Sequence, residues 1–265
     1  MTPAGESRDK EQKKNGNVVS RVAQGLSLVA GDGSRAAKSP ASGSPPGVPR
    51  RLGERWSLPA PPSPTLSELF AASPRDAGWA GFLLPQIAAG KPLLWVQERM
   101  AIIESGRIYP PGLGAAEIIH VEARDARLAL WAMEEGVRCA ALSAVIGELW
   151  GDAGALDFTA TRRLAVAAER SGVPCWLVRL GGTANLSGAR MRWRIASGPS
   201  LANPFDPRAP GVPAWNGELF RARGMPTGRW SFAHEGGPRT QAPGSFHLVA
   251  GPGDRALGED ERLRA

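Results

Sequence analysis

Short apolar runs alternate with helical patterns from Leu66 to Val178, and this alternation restricts the possible folds more than any other feature of the chain. Residues 66–71, 92–96, 118–121, 141–146 and 173–178 are strand-like runs dominated by Leu, Ile, Val and Ala. Between them the spacing predicts helices over 81–88, 126–137 and 159–171. Leu130, Met133, Glu134 and Val137 recur at helical intervals in the second of these, and Leu164, Ala167 and Ala168 in the third, before a stop at Gly172. Strands this apolar, joined through helices, imply a mostly parallel sheet covered on both faces. Beyond residue 189 the period changes to two. Met191, Trp193 and Ile195 fall on one face of a predicted strand, and Arg190, Arg192 and Arg194 on the other. Residues 215–221 and 229–233, joined through Gly224-Met225-Pro226-Thr227-Gly228, read as a hairpin. The expected fold is therefore α/β, its parallel sheet finished by antiparallel strands.

The flanking sequence is different. Residues 1–60 are rich in Gly, Ser, Pro and charge, and 236–265 in Gly and Pro. Neither has the apolar content to offset the entropy of ordering, so a disordered arm and tail are expected around a core at 61–235. The net charge of +7 is unevenly placed. Residues 56–159 carry seven Lys and Arg against twelve Asp and Glu, whereas 160–235 carry eleven against four. A basic second half points to an anionic partner, nucleic acid first. No apolar run is long enough to span a bilayer and no leader is evident, so a cytoplasmic protein without membrane contact is expected. Cys139 and Cys175 both lie in apolar contexts and are expected to be buried free thiols. With three histidines and two cysteines, no metal site is expected.

Two groups of residues bear on chemistry. The first, Ser73-Pro74-Arg75-Asp76-Ala77-Gly78-Trp79-Ala80, connects a strand to a helix where a phosphate-binding loop of the form G-x-x-x-x-G-K-[ST] would lie. Only Gly78 survives. Ser73 replaces the first glycine, Trp79 the lysine and Ala80 the hydroxyl, while Asp76 adds negative charge where phosphate would settle. Glu98 and Glu148 close the strands at 93–97 and 144–147, the ends at which open α/β sheets place ligands. This is a degenerate nucleotide site, with no cofactor and no catalytic residue expected. The second group is basic: Arg179, then the Gly-rich loop 181–188 containing Asn185, then Arg190, Arg192 and Arg194, three guanidinium groups on one strand face suited to DNA or an acidic partner. His120 sits in an apolar run as a core or sheet-edge residue.

The order of these pieces resembles the RecA-like cores and, within them, the ImuA family. The layout carries the first likeness: the loop at 73–80, Glu98 where RecA keeps a water-orienting glutamate, Glu148 on the magnesium-supporting strand, and 181–194 as a second DNA-binding loop with its following strand. Wording carries the second, through Pro92-Leu93-Leu94-Trp95-Val96, Leu130-Trp131-Ala132-Met133-Glu134-Glu135, Leu156-Asp157-Phe158-Thr159-Ala160-Thr161-Arg162-Arg163-Leu164 and Ala189-Arg190-Met191-Arg192-Trp193-Arg194. The resemblance implies a non-enzymatic accessory protein of the SOS response, acting in damage-induced error-prone translesion synthesis and associated with the nucleoid after damage. The partners it implies are a Y-family-like protein, ImuB, and an error-prone replicative-type polymerase, with RecA and single-stranded DNA as further candidates. A residual DNA-dependent ATPase and a SulA-type division inhibitor are the alternatives.

Overall fold

The computed structural model describes residues 55–56, 59–113, 117–234 and 246–249. Ten strands form one sheet: β1 (Arg55–Trp56), β2 (Leu66–Ala71), β3 (Leu93–Glu98), β4 (Ile118–Ala123), β5 (Ala144–Trp150), β6 (Cys175–Leu180), β7 (Met191–Gly198), β8 (Ala214–Ala222), β9 (Gly228–Ala233) and β10 (Phe246–Leu248). Their spatial order is β1-β10-β9-β8-β7-β2-β6-β5-β3-β4. From β4 to β7 every neighbouring pair is parallel, and from β7 to β1 every pair is antiparallel. The expected architecture is present.

Helices α1 (Gly78–Leu83) and α2 (Arg99–Ser105) cover one face, and α3 (Ala126–Val137) and α4 (Phe158–Ser171) the other. The sequence explains the ends of the long helices. Asp125 accepts from the Leu128 amide at 3.0 Å and Asp157 from the Ala160 amide at 2.7 Å, so both are capped by a local carboxylate. Gly172 stops α4 in the left-handed conformation, φ 74°, which a side chain would resist.

Several boundaries shift for local reasons. β5 starts at Ala144 instead of 141, because Leu142 turns back onto the Cys139 carbonyl. β6 starts at Cys175, after Pro174, whose nitrogen has no hydrogen to donate. α1 begins three residues early and gives way at Leu84 to a 3₁₀ turn containing Pro85, instead of running to 88. Two strands fall in the stretches expected to lack order. β10 pairs with β9, and β1 with β10, inside the predicted tail and arm. Within those stretches, residues 1–54, 57–58, 236–245 and 250–265 lie outside the described residues. Cys139 is exposed, contrary to expectation, since it sits in the turn after α3; Cys175 is buried in β6, and burial pushes its thiol pKa up. His120 is half-buried on β4, at the sheet edge.

The antiparallel half is held by rings. Phe82 of α1 packs between Trp193, Phe232 and Phe246, with centroids 5.2, 5.5 and 6.1 Å away, and Trp215 lies against Phe232 at 6.1 Å. Aromatic pairs at these separations add about 0.5–1.5 kcal/mol each beyond area burial. Gly81 lets α1 approach that closely: a Cβ there would lie 2.5 Å from the Trp215 ring.

Candidate functional site

The connector between β2 and α1 folds around Asp76. One carboxylate oxygen accepts from the Gly78 amide at 2.9 Å and the Ser197 hydroxyl at 2.5 Å, and the other from the Ser197 amide at 2.8 Å. Burial acts to raise the Asp76 pKa, but the Ser197 hydroxyl and amide and the Gly78 amide outweigh it, and the group titrates below the usual carboxylate range. The Gly78 amide, a donor of the kind that a phosphate loop turns toward its ligand, here holds a carboxylate of the same chain. Gly78 is required by this closure, since a Cβ would stand 2.2 Å from the Ser197 hydroxyl oxygen. Ser73 is exposed and caps the turn through its carbonyl, which accepts from the Asp76 amide at 3.0 Å.

Trp79 and Ala80 occupy the next positions. Trp79 is buried, 5.8 Å from Trp95 of β3. The Trp95 indole N–H donates to Glu148, and Gln97 Nε2 donates to the other Glu148 oxygen at 3.1 Å. Glu148 therefore lies inside β5, two residues before its end, roofed by aromatic rings. Burial raises its pKa to about 7, against the opposing pull of Trp95 and Gln97. Gln97 is held in turn: its carbonyl oxygen accepts from the Ile108 amide at 3.1 Å and lies 3.0 Å from His120 Nε2. Glu98 does end β3 as expected, and accepts from the Trp150 amide at 2.9 Å. The two acids thus serve the sheet itself, one under rings and one on a backbone N–H. Among the described residues, no group of three or more His, Cys, Asp or Glu could hold a metal ion, and no helix is long and apolar enough to cross a membrane.

No family model matches the chain. Two proteins named Protein ImuA, from Caulobacter vibrioides strains NA1000 / CB15N and ATCC 19089 / CIP 103742 / CB 15, are each 34% identical to it over 188 residues, spanning 66% of this chain and 72% of each relative. The chain belongs to the ImuA family. In this ImuA-family fold the basic segment 179–194 is less open than its alternation implies. Arg190, Arg192 and Arg194 do share a face, but each meets a carboxylate. Arg190 pairs with Glu169 at 2.7 Å and Arg194 with Glu218 at 2.9 Å. Arg192 is buried against Glu68 at 2.6 Å, its guanidinium 5.2 Å from the centre of the Phe70 ring and 5.4 Å from that of Phe220. Two guanidinium groups on that face reach solvent, not three.

Arg179 is also buried. It pairs with Asp152 at 2.7 Å and lies 5.4 Å from the centre of the Phe70 ring, with Asn185 Oδ1 3.5 Å from its NH1. Asp152 anchors the Gly-rich loop as well, accepting from the Thr183 amide at 2.8 Å and hydroxyl at 2.7 Å. At its far end Ser187 donates to Glu68 at 2.7 Å and the Gly188 amide to Thr161 at 2.9 Å. For all its glycine, the loop is tied down near both ends. Glu68, Asp152 and Ser197 organise these contacts and escape a reading based on motifs. Glu68 left one trace: a lone acid in an otherwise apolar strand needs a buried partner.

Proposed function

We propose that this ImuA-family protein is a non-enzymatic accessory factor in damage-induced, error-prone translesion DNA synthesis. It works by contacts with a Y-family-like ImuB protein and an error-prone replicative-type polymerase. The likeness to the two Caulobacter proteins over 188 residues carries the reading. Closure around Asp76 supports the non-enzymatic half. A nucleotide would have to displace a carboxylate holding three hydrogen bonds, with neither a lysine nor a hydroxyl at positions 79 and 80 to receive its phosphates and metal. Arg190 and Arg194 are the proposed partner contacts. Arg179 and Arg192 set the shape of the face from beneath, and exposed Asn185 lies beside Arg179.

The deciding experiment is complementation of a deletion strain. Wild-type protein should restore ultraviolet-induced mutagenesis, and Trp79→Phe, which keeps the ring and adds no phosphate ligand, should restore it equally. Failure of wild-type complementation, or micromolar ATP affinity by calorimetry, would sink the proposal.

A further inference from the structure

A second positive surface among the described residues is less compensated than the strand face of β7, whose three arginines each meet a carboxylate. It is α4 and the ground on either side of it. Arg162, Arg163 and Arg170 are all exposed on this helix, and Arg162 and Arg170, eight residues apart, are about 12 Å apart along its axis. On one flank a depression of about 490 Å³ is bordered by Arg138, Arg163 and Arg170. On the other, one of about 560 Å³ is bordered by Arg190, Arg221 and Arg223, and Arg162 borders both.

The balancing acid is small. Glu134 and Glu135 take Arg138, Glu134 also takes Arg163, and Glu169 takes Arg190 and feels the charge of Arg223. Arg162, Arg170, Arg221 and Arg223 make no ion pair among the described residues. Two exposed aromatic side chains stand at the edges. Phe158, 39% exposed, rims the larger depression, and Trp131, 60% exposed, lines a third of about 400 Å³ with Arg127 and Arg163.

We propose that this α4 surface binds single-stranded nucleic acid, its arginines on the phosphates and Phe158 and Trp131 against unpaired bases. An acidic peptide would satisfy the guanidinium groups but brings no planar face of its own to the two rings standing in solvent beside them. Nucleobases do, and only unpaired ones offer a free face for stacking. Arginine forks also match phosphate geometry better than point charges. The inference adds a ligand to the accessory role and rests on that role only for its cellular meaning. Binding is read with purified protein and the role by mutagenesis, so the two fail separately.

The test is fluorescence anisotropy of the full chain with a labelled 30-nucleotide oligothymidylate in low salt, repeated over a salt series. R162E/R221E/R223E is compared with R75E/R124E/R208E, a matched charge reversal at exposed arginines elsewhere. The α4 variant should bind at least tenfold more weakly than the control variant. Its slope of log affinity against log salt should be shallower by about two, from about 0.7 per phosphate contact on single strands. Phe158→Ala and Trp131→Ala should each weaken binding several-fold with the slope unchanged, a result that a purely electrostatic surface would not give. Equal losses in the two triple variants, displacement of the oligonucleotide by poly-glutamate at equal charge, or no binding by the wild type in low salt would each overturn the proposal.

Discussion

Replacing Glu148 with Gln should stabilise the protein in alkaline solution and destabilise it in acid. The carboxyl is held at about 7 in the folded state against an ordinary 4.5, because it is buried with two N–H donors and no cation beside it. A raised folded-state value means that protonation favours folding. The contribution of this group to stability is therefore fully present below about pH 4.5, and is lost progressively as the pH rises through about 7. A displacement of this size is worth about 3 kcal/mol once the group is fully ionised.

Glutamine carries no charge and so removes that cost, but it loses one contact. Its carbonyl can accept from Trp95, whereas its amide would face the Gln97 amide, which cannot turn over without giving up Ile108 and His120. That loss is about 1 kcal/mol and independent of pH. The variant should be about 2 kcal/mol more stable than wild type at pH 8.5 and about 1 kcal/mol less stable at pH 4. Urea unfolding followed by tryptophan fluorescence across that range measures the difference, and groups that titrate equally in both proteins cancel. A difference constant to within about 0.5 kcal/mol across the range would refute the reasoning.

Other expectations follow from the same contacts. Arg192→Ala should cost about 3–5 kcal/mol in denaturant unfolding, because it strands Glu68 in the interior, whereas Glu68→Gln with Arg192→Met should cost much less. Gly78→Ala should cost about 1–3 kcal/mol by forcing Ser197 off Asp76, and the same unfolding assay with Asp76→Asn as background should show a smaller effect. Phe82→Ala should cost about 3–5 kcal/mol and loosen the antiparallel strands first, seen as faster amide exchange in β8 and β9 than in β5.

What could be read from the chain, and what could not, divides by the range of the interaction. α3 and α4 were legible to within a residue, because Asp125, Asp157 and Gly172 are local signals that need no tertiary partner. β10 was not. Phe246-His247-Leu248 is too short to show a period, and it is a strand because Phe246 fits against Phe82 and Phe232. In the candidate site, position alone singled out Trp79 and Ala80 as replacements in the loop, and Glu98 and Glu148 as acids near strand ends. It could not reveal that Ser197, more than a hundred residues downstream, completes the turn around Asp76. The arginine alternation placed three side chains on one face correctly. Their reach depends on Glu68, Glu169 and Glu218, on three other elements, which no local pattern encodes.

The Asp76 turn also bears on how this loop could change. Where a phosphate loop closes on a ligand, its ordered shape is conditional and lasts only while the ligand is present. Here the anion is tethered two residues from the amide it occupies, and that tether keeps it at a high effective concentration whatever is dissolved outside. Nucleotide binding at this loop would need the carboxylate to leave first, at a cost in stability. The turn is a permanent fastening between the β2–α1 connector and the end of β7.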